Sequence, residues 1–421
     1  MKRVLSLSHR MKLVGISAFL AVLLAAPGNA RALSLDAQVI FGGAGDQVGY
    51  GIAYSGGTVF FAGQDAAVGS TGDGRYGSYN PGLTTQNFNQ TLGGNYGEAR
   101  GIAVGGAAIY VGGSSRPPAL TVDNVGGWEN KPVVQRTPAT GGTPTWTRQV
   151  ATPPSSDRVF TYSGTEWAND ITFANIGGSD PIFVTGGGED WGVSGHYAGY
   201  LSKLDTSGSI QWTVHYGPGV FTTGHGLVEL GGNVYVVGDR SGSSWLGGYD
   251  GTTGADLFAE KTGYGGGVFY DVTAFGGDLF VAGVSGGDGR LLRLDTNGNV
   301  MWDMTYSQAD ILRGLVGFGG RIYAVGEIGD DAVVIEADAA TGSFLSSTLY
   351  GGGLDSSAFN NVALDSANGR LYAAGWYSGS GSSGKDILIA SYATQAVPEP
   401  GSLFLLGTGL MGLALLRLRR S

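Results

Sequence analysis

No cysteine occurs among the 421 residues, which excludes disulfides, thiolate metal centres and a cysteine nucleophile. Histidine is nearly as scarce. Apart from His9 there are only His196, His215 and His225, and no nucleophile-elbow pattern stands near any of them. His215 reads as a strand residue, and His225 is the better placed of the three for chemistry. Charged side chains make up only 14% of the chain. Between residues 33 and 400 they divide into 16 basic and 34 acidic, a net charge near −18. A body that acidic does not hold nucleic acid or anionic lipid by charge. There is no P-loop, no dinucleotide fingerprint and no dense Asp-x-Asp-x-Asp calcium loop. The sequence therefore assigns no catalytic residue, no metal and no cofactor.

Glycine, by contrast, is abundant at 79 residues. It lacks the every-third spacing of collagen and alternates with Val, Ile, Phe and Tyr, the composition of short strands joined by tight turns. One pattern recurs seven times: a short apolar strand, a Gly-Gly turn, and an apolar-aromatic strand that closes on glycine. Its clearest copies are IAYSGGTVFFAG (52–63), IAVGGAAIYVGG (102–113), LVELGGNVYVVG (227–238), VTAFGGDLFVAG (272–283) and LVGFGGRIYAVG (315–326). ITFANIGGSDPIFVTG (171–186) and VALDSANGRLYAAG (362–375) complete the set. In the better-preserved copies a second hairpin follows, as in 199–217 and 289–306, where Asp205 or Asp295 opens the turn and Trp212 or Trp302 begins the last strand.

A unit of four antiparallel strands cannot bury both of its faces alone, so seven such units predict a radial stack. The fold class expected is all-β: a seven-bladed β-propeller of four-stranded antiparallel blades over 33–396, with a transmembrane helix appended at the C-terminus. The last copy lacks its fourth strand, and LDAQVIFGG (35–43) supplies one, so the N-terminal strand is expected to close the ring. The repeat resembles the glycine-rich β-propeller repeats of secreted and surface bacterial proteins. That likeness implies a fold and leaves the activity open.

The two ends of the chain carry apolar runs. Lys2, Arg3, Arg10 and Lys12 precede an apolar stretch over 13–26, then Pro27, Gly28 and the small-x-small site Ala30-Arg31-Ala32. Residues 1–32 thus read as a signal peptide removed by signal peptidase after Ala32, with Ala30 or an uncleaved anchor as alternatives. At the other end Pro398, Glu399 and Pro400 form an extended, unpaired motif. An apolar run of only 14 residues follows at 403–416, and then Arg417, Arg419 and Arg420 as a cytoplasmic anchor. Residues 397–421 together resemble the PEP-CTERM sorting signal. The resemblance implies the membrane protease exosortase as partner and a Gram-negative host that makes exopolysaccharide. It also implies transient inner-membrane attachment, then the cell surface or matrix.

Within the propeller, the connections after each closing glycine and between units are expected to be the long, variable ones and to share one face. Glu189, Asp190, Trp191, Asp239, Arg240, Trp245, Glu327, Trp376 and Tyr377, with Asp65, would stand there. Trp167, Phe221, His225 and Tyr270 would join them from the inter-unit connections. Aromatics beside carboxylates suit a sugar, although the same aromatics could instead pack between units. Trp146, Trp212 and Trp302 repeat at equivalent strand positions and read as structural. A non-enzymatic protein that binds exopolysaccharide is the leading expectation. A polysaccharide-degrading enzyme using Glu189, Asp190 and Glu327 is the alternative, and a quinone-binding propeller a weaker one.

Overall fold

The computed structural model describes residues 33–43, 45–67, 72–92, 95–116, 131–150, 167–189, 197–217, 220–351, 355–379 and 384–394. The expected signal peptide, the Pro398-Glu399-Pro400 motif and the tail helix with Arg417, Arg419 and Arg420 all lie outside the described residues. Among the described residues no helix is long and apolar enough to cross a membrane.

The chain begins with β1 (Ser34–Phe41). Blade 1 follows as β2 (Gly45–Ser55), β3 (Thr58–Ala67), β4 (Asp73–Tyr79) and β5 (Gln86–Thr91). Blade 2 is β6 (Asn95–Gly105), β7 (Ala108–Arg116), β8 (Lys131–Pro138) and β9 (Trp146–Gln149). Blade 3 is β10 (Trp167–Phe173), β11 (Ile182–Glu189), β12 (Tyr197–Leu204) and β13 (Ile210–Tyr216). Blade 4 has β14 (Thr222–Leu230), β15 (Asn233–Arg240) and β16 (Ser243–Asp250). Blade 5 is β17 (Val268–Phe275), β18 (Asp278–Ser285), β19 (Asp288–Leu294) and β20 (Val300–Tyr306). Blade 6 is β21 (Ile311–Phe318), β22 (Arg321–Ile328), β23 (Asp331–Asp338) and β24 (Phe344–Tyr350), and blade 7 is β25 (Ser356–Asp365), β26 (Arg370–Ser378) and β27 (Asp386–Ala393).

Every sheet is an antiparallel meander except the last, whose order β1-β27-β26-β25 takes its outer strand from the N-terminus. The register runs from Ser34 opposite Ala393 to Phe41 opposite Ile387. An Arg370–Asp36 ion pair and the Thr348 hydroxyl, which donates to the Leu33 carbonyl, fasten the same strand. The expected closure is therefore present. Blade 4 departs from the expected four strands. Its fourth strand is reduced to three isolated bridges, Tyr249 to Asp256, Leu246 to Lys261 and Ser243 to Gly266. The segment that would form it, GTTGADLFAEKTGYGGG (251–267), is too rich in glycine and polar residues to sustain a regular ladder.

The core lies between blades. Seven apolar clusters each draw on two neighbouring blades, including one that joins Ile52, Phe61 and Tyr79 of blade 1 to Tyr372, Ala374 and Ile389 of blade 7. The repeated tryptophans work at these seams. Nε1 of Trp146 donates to the Thr206 carbonyl at 3.0 Å, Trp212 to Thr252 at 3.0 Å, and Trp302 to Ala339 at 3.2 Å. In each case the acceptor lies in the turn after the third strand of the next blade. The Asp that opens that turn holds it by accepting backbone N–H groups, as Asp205 does from Ser207 and Ser209.

A second regularity explains the closing glycine. Each of the seven inner strands carries a register shift of one residue opposite that glycine, as between Leu312 and Gly314 across from Gly326. The bulge brings the inner-strand carbonyl over the glycine Cα, so a Cβ at Gly326 would overlap the Ile311 carbonyl oxygen. The same collision recurs at Gly63, Gly113, Gly186, Gly238, Gly283 and Gly375. These glycines are demanded by close approach, whereas Gly319 in the blade 6 turn has φ +59 and open space around it. Gly326→Ala is expected to cost about 2–4 kcal/mol in chemical denaturation, against about 1 kcal/mol or less for Gly319→Asn. Removing residues 33–43 bares one side of Ile387, Leu388 and Ile389, and should lower the melting temperature by on the order of 5–10 °C; an unchanged calorimetric transition would refute the closure.

Candidate functional site on the propeller axis

The bulges also aim side chains. In each inner strand the extra residue is unpaired in the ladder: Tyr50, Arg100, Asn169, His225, Tyr270, Arg313 and Asn360. All seven line a single cavity of about 280 Å³ at the centre of the ring. The residue after each bulge is Gly, Asp or Asn, and Asp170, Asp271 and Asn361 join the lining.

The charges in this ring are paired. Nε of Arg100 donates to Glu98 at 2.5 Å and its Nη1 to Asn169 Oδ1 at 2.7 Å. The same guanidinium lies 5.6 Å from the Tyr50 ring and 5.8 Å from the Trp167 ring. Arg313 Nη2 donates to Glu327 at 2.8 Å, while its Nη1 is buried with no hydrogen-bond partner. His225 Nε2 is 3.1 Å from Asp239 Oδ1, and its ring sits 5.6 Å from that of Tyr270. Burial, then the Glu98 charge, pushes the Tyr50 phenol up to about 12, and burial raises Tyr270 despite Arg313 nearby. Both tyrosines are neutral donors at physiological pH.

Asp170 and Asp271 have a different task. Asp170 accepts from the Ile171 N–H and, across the seam to blade 4, from the Leu227 N–H at 2.9 Å. Asp271 does the same with Val272 and, in blade 6, Leu315 at 3.1 Å. Both keep some exposure towards the cavity, yet they are walled in by protein. Burial lifts Asp170 to about 7, and lifts Asp271 well above the carboxylate range with the Asp170 charge adding to it.

Most residues expected on a loop face stand elsewhere. The strands run two to four residues past the closing glycine, so Asp65, Asp239, Arg240, Glu327, Trp376 and Tyr377 are strand residues. Asp239 and Glu327 reach the axial ring as partners of its bulge residues. Arg240 pairs with Glu260 at 2.9 Å, Tyr377 donates to Asp355 at 2.5 Å, and Lys385 Nζ lies 3.8 Å over the Trp376 ring. Trp245 is corrected outright. The turn at Ser241-Gly242 is tight, so Trp245 falls within β16 and is fully buried, 4.5 Å from the Tyr216 ring. The connections after the closing glycine are likewise two-residue turns in blades 4, 5 and 6, so the expected crown of variable loops is incomplete. Trp167, His225 and Tyr270 belong to inner strands, not to connections, and Phe221 is exposed beside β14. Glu189 ends β11, while Asp190 and Trp191 lie outside the described residues.

Of the ten lining residues only His225 and Tyr270 stand out in the sequence reading, and five of the seven bulge residues, Tyr50, Arg100, Asn169, Arg313 and Asn360, do not, although a signal exists. The tetrads GYGI (49–52), ARGI (99–102), ANDI (168–171), GHGL (224–227), FYDV (269–272), LRGL (312–315) and FNNV (359–362) share a polar residue, then Gly, Asp or Asn, then an aliphatic.

Acidity should act on this architecture in two opposite senses. Asp170 and Asp271 are raised in the folded state, so folding binds protons between the ordinary carboxylate range and about 7, and stability rises as pH falls through that window. The Thr253 hydrogen bonds to Asp250, and those of Asn299 to Asp295, depress both carboxyls, and their contribution vanishes as pH falls below about 4. Thermal unfolding across pH should therefore peak near pH 5, and Asp170→Asn should flatten the limb between pH 5 and 8.

The fold is shared widely. The chain is similar to the Dos1 propeller at 11% identity, covering 86% of this chain and 96% of that one, with a TM-score of 0.53. It is similar to the Cps50 (Swd1) β-propeller domain of Myceliophteria thermophila at 10% identity, 86% and 100% coverage, and a TM-score of 0.51. The Neurospora crassa Pan2 WD40 domain matches at 9% identity, 87% and 97% coverage, and a TM-score of 0.56. No curated protein matches the chain. Residues 396–420 match the model of the PEP-CTERM protein-sorting motif, so the molecule is a seven-bladed β-propeller carrying a PEP-CTERM sorting signal, which implies export and processing by exosortase.

Proposed function

We propose that this is a surface or extracellular-matrix protein, released or re-attached after processing at the Pro398-Glu399-Pro400 motif, whose propeller binds exopolysaccharide or a similar envelope polymer. The observation that carries the reading is the pairing of a sorting signal at 396–420 with a cavity lined by seven bulge side chains. Tyrosine, asparagine, arginine and histidine offer hydroxyl-rich ligands both donors and ring faces. Binding is favoured over cleavage of the polymer. Asp170 and Asp271 spend their oxygens on backbone N–H groups, and Glu327 is held by Arg313, which leaves no free acid and base pair at the axis.

Protein purified from the producing cells should be retained on polysaccharide isolated from the same cells, with no shortening of the chains by size-exclusion chromatography. Shortening that is lost in Glu327→Gln would establish the enzymatic alternative instead, and no retention would refute the binding role.

A further inference from the structure

The ring carries a second recess away from the axis, a cavity of about 320 Å³ at the seam between blades 7 and 1. Its size falls within the roughly 300–1,000 Å³ of small-molecule sites. The outermost strands β1 and β5 both contribute to its walls, so it is reached from the rim of the ring and not along the axis. On the blade 7 side Phe41 and Ile387 make the wall apolar, and the Phe41 ring is held by Phe61 at 5.1 Å and Tyr79 at 5.7 Å. Gly42 beside them has no room for a Cβ, which would overlap Asp386 and Gln47.

The polar side is fixed from below by Gln47, which is 2% exposed. Its Oε1 accepts from the Gly43 N–H at 3.0 Å, and its Nε2 donates to Asp65 Oδ1 at 3.1 Å. Asp65 Oδ2 takes Arg75 Nη2 at 2.6 Å, and the two side chains keep 29% and 35% exposure. They are the only charged residues in the lining and they neutralise each other. An anion or a cation therefore gains nothing there from an unpaired charge.

The opposite wall belongs to β5, whose exposed positions are Gln86, Asn87, Asn89 and Thr91. The equivalent strands of blades 5 and 6 instead expose Val300, Met301 and Met304, or Phe344 and Leu349. Asn87 donates to Ser78 Oγ at 3.3 Å and Gln90 to the Gly142 carbonyl at 2.7 Å. Gln86 and Asn89 line the recess, and no hydrogen bond within the described residues occupies either amide. A side-chain amide both donates and accepts, as a hydroxyl does, so two of them beside a paired carboxylate and guanidinium match a ligand rich in hydroxyls.

We propose that this recess binds one residue of a neutral glycan, with Gln86, Asn89 and the Asp65–Arg75 pair bonding its hydroxyls and its apolar side against Phe41 and Ile387. The site rests on the binding role proposed above and deepens it, because a recess reached from the rim can grip a polymer anywhere along its length.

Parent and variant proteins from the producing cells, titrated with the polysaccharide of those cells, provide the test. Gln86→Ala/Asn89→Ala removes two exposed, unpartnered amides, so it should leave the melting temperature unchanged and weaken binding about tenfold. In the parent, saturating polysaccharide should slow hydrogen exchange over residues 84–92. Parent-like affinity in the double variant, or unchanged exchange over 84–92 in the bound parent, would overturn the seam site while leaving the binding role intact. A parent that does not bind the polysaccharide at all would remove the binding role and this site with it.

Discussion

The single extra residue in each inner strand governs the rest of the structure. It forces the ladder to slip by one opposite the closing glycine, and it drives an inner-strand carbonyl against that glycine's Cα. The bulged residue gains no ladder partner and turns to the axis instead. A repeated backbone feature thus leaves one position per blade free of packing duty. The seven copies fill it with Tyr, Arg, Asn, His, Tyr, Arg and Asn, while all seven keep the glycine across from it. Backbone geometry is held constant, and the chemistry at the axis varies.

The position after the bulge has to solve a packing problem, because seven inner strands converge there. Glycine solves it by allowing backbones to touch, as between Gly226 and Asp271. Asp170 and Asp271 solve it by bonding, each accepting an N–H from the next blade. The second solution carries an electrostatic penalty, since burial opposes the charge that makes these hydrogen bonds strong. Two carboxyls within influence of each other compound it. The seams bear the penalty because each also buries an apolar cluster shared by two blades, which supplies the larger stabilising term.

What the sequence made legible was whatever repeats locally. The Gly-Gly turns at 231–232, 276–277 and 319–320 have positive φ at both residues, as a two-residue hairpin requires, and the strand pattern around them is periodic. Ring closure was legible too, because the last copy is one strand short and 35–43 matches the missing one. The axial site was not, for a physical reason. A bulge changes register without changing composition, so Arg313 reads as one more polar residue before an apolar strand. Trp245 misled for the converse reason: a two-residue turn and a long loop differ by few residues, yet the shorter one turns a tryptophan from the surface into the seam. The hairpin was visible as pattern, and the side-chain direction depended on a one-residue shift.

Strand direction further separates the two ends of the axis. Ser34 pairs with Ala393, and Thr394 donates to the Gly369 carbonyl, so the described chain starts and stops on the face of the tight Gly-Gly turns. Asp239, Glu327 and Trp376 stand at the opposite ends of their strands. Eight residues separate Thr394 from the apolar run at 403, a reach of about 30 Å when fully extended. The face of the Gly-Gly turns is thus the one from which the chain leaves the propeller towards its sorting signal. The rim formed by Asp239, Glu327 and Trp376 lies at the other end of the axis. Cleavage near Pro398 would leave the described ring intact, because β27 ends at Ala393 and is already bonded on both sides, by β26 and by β1.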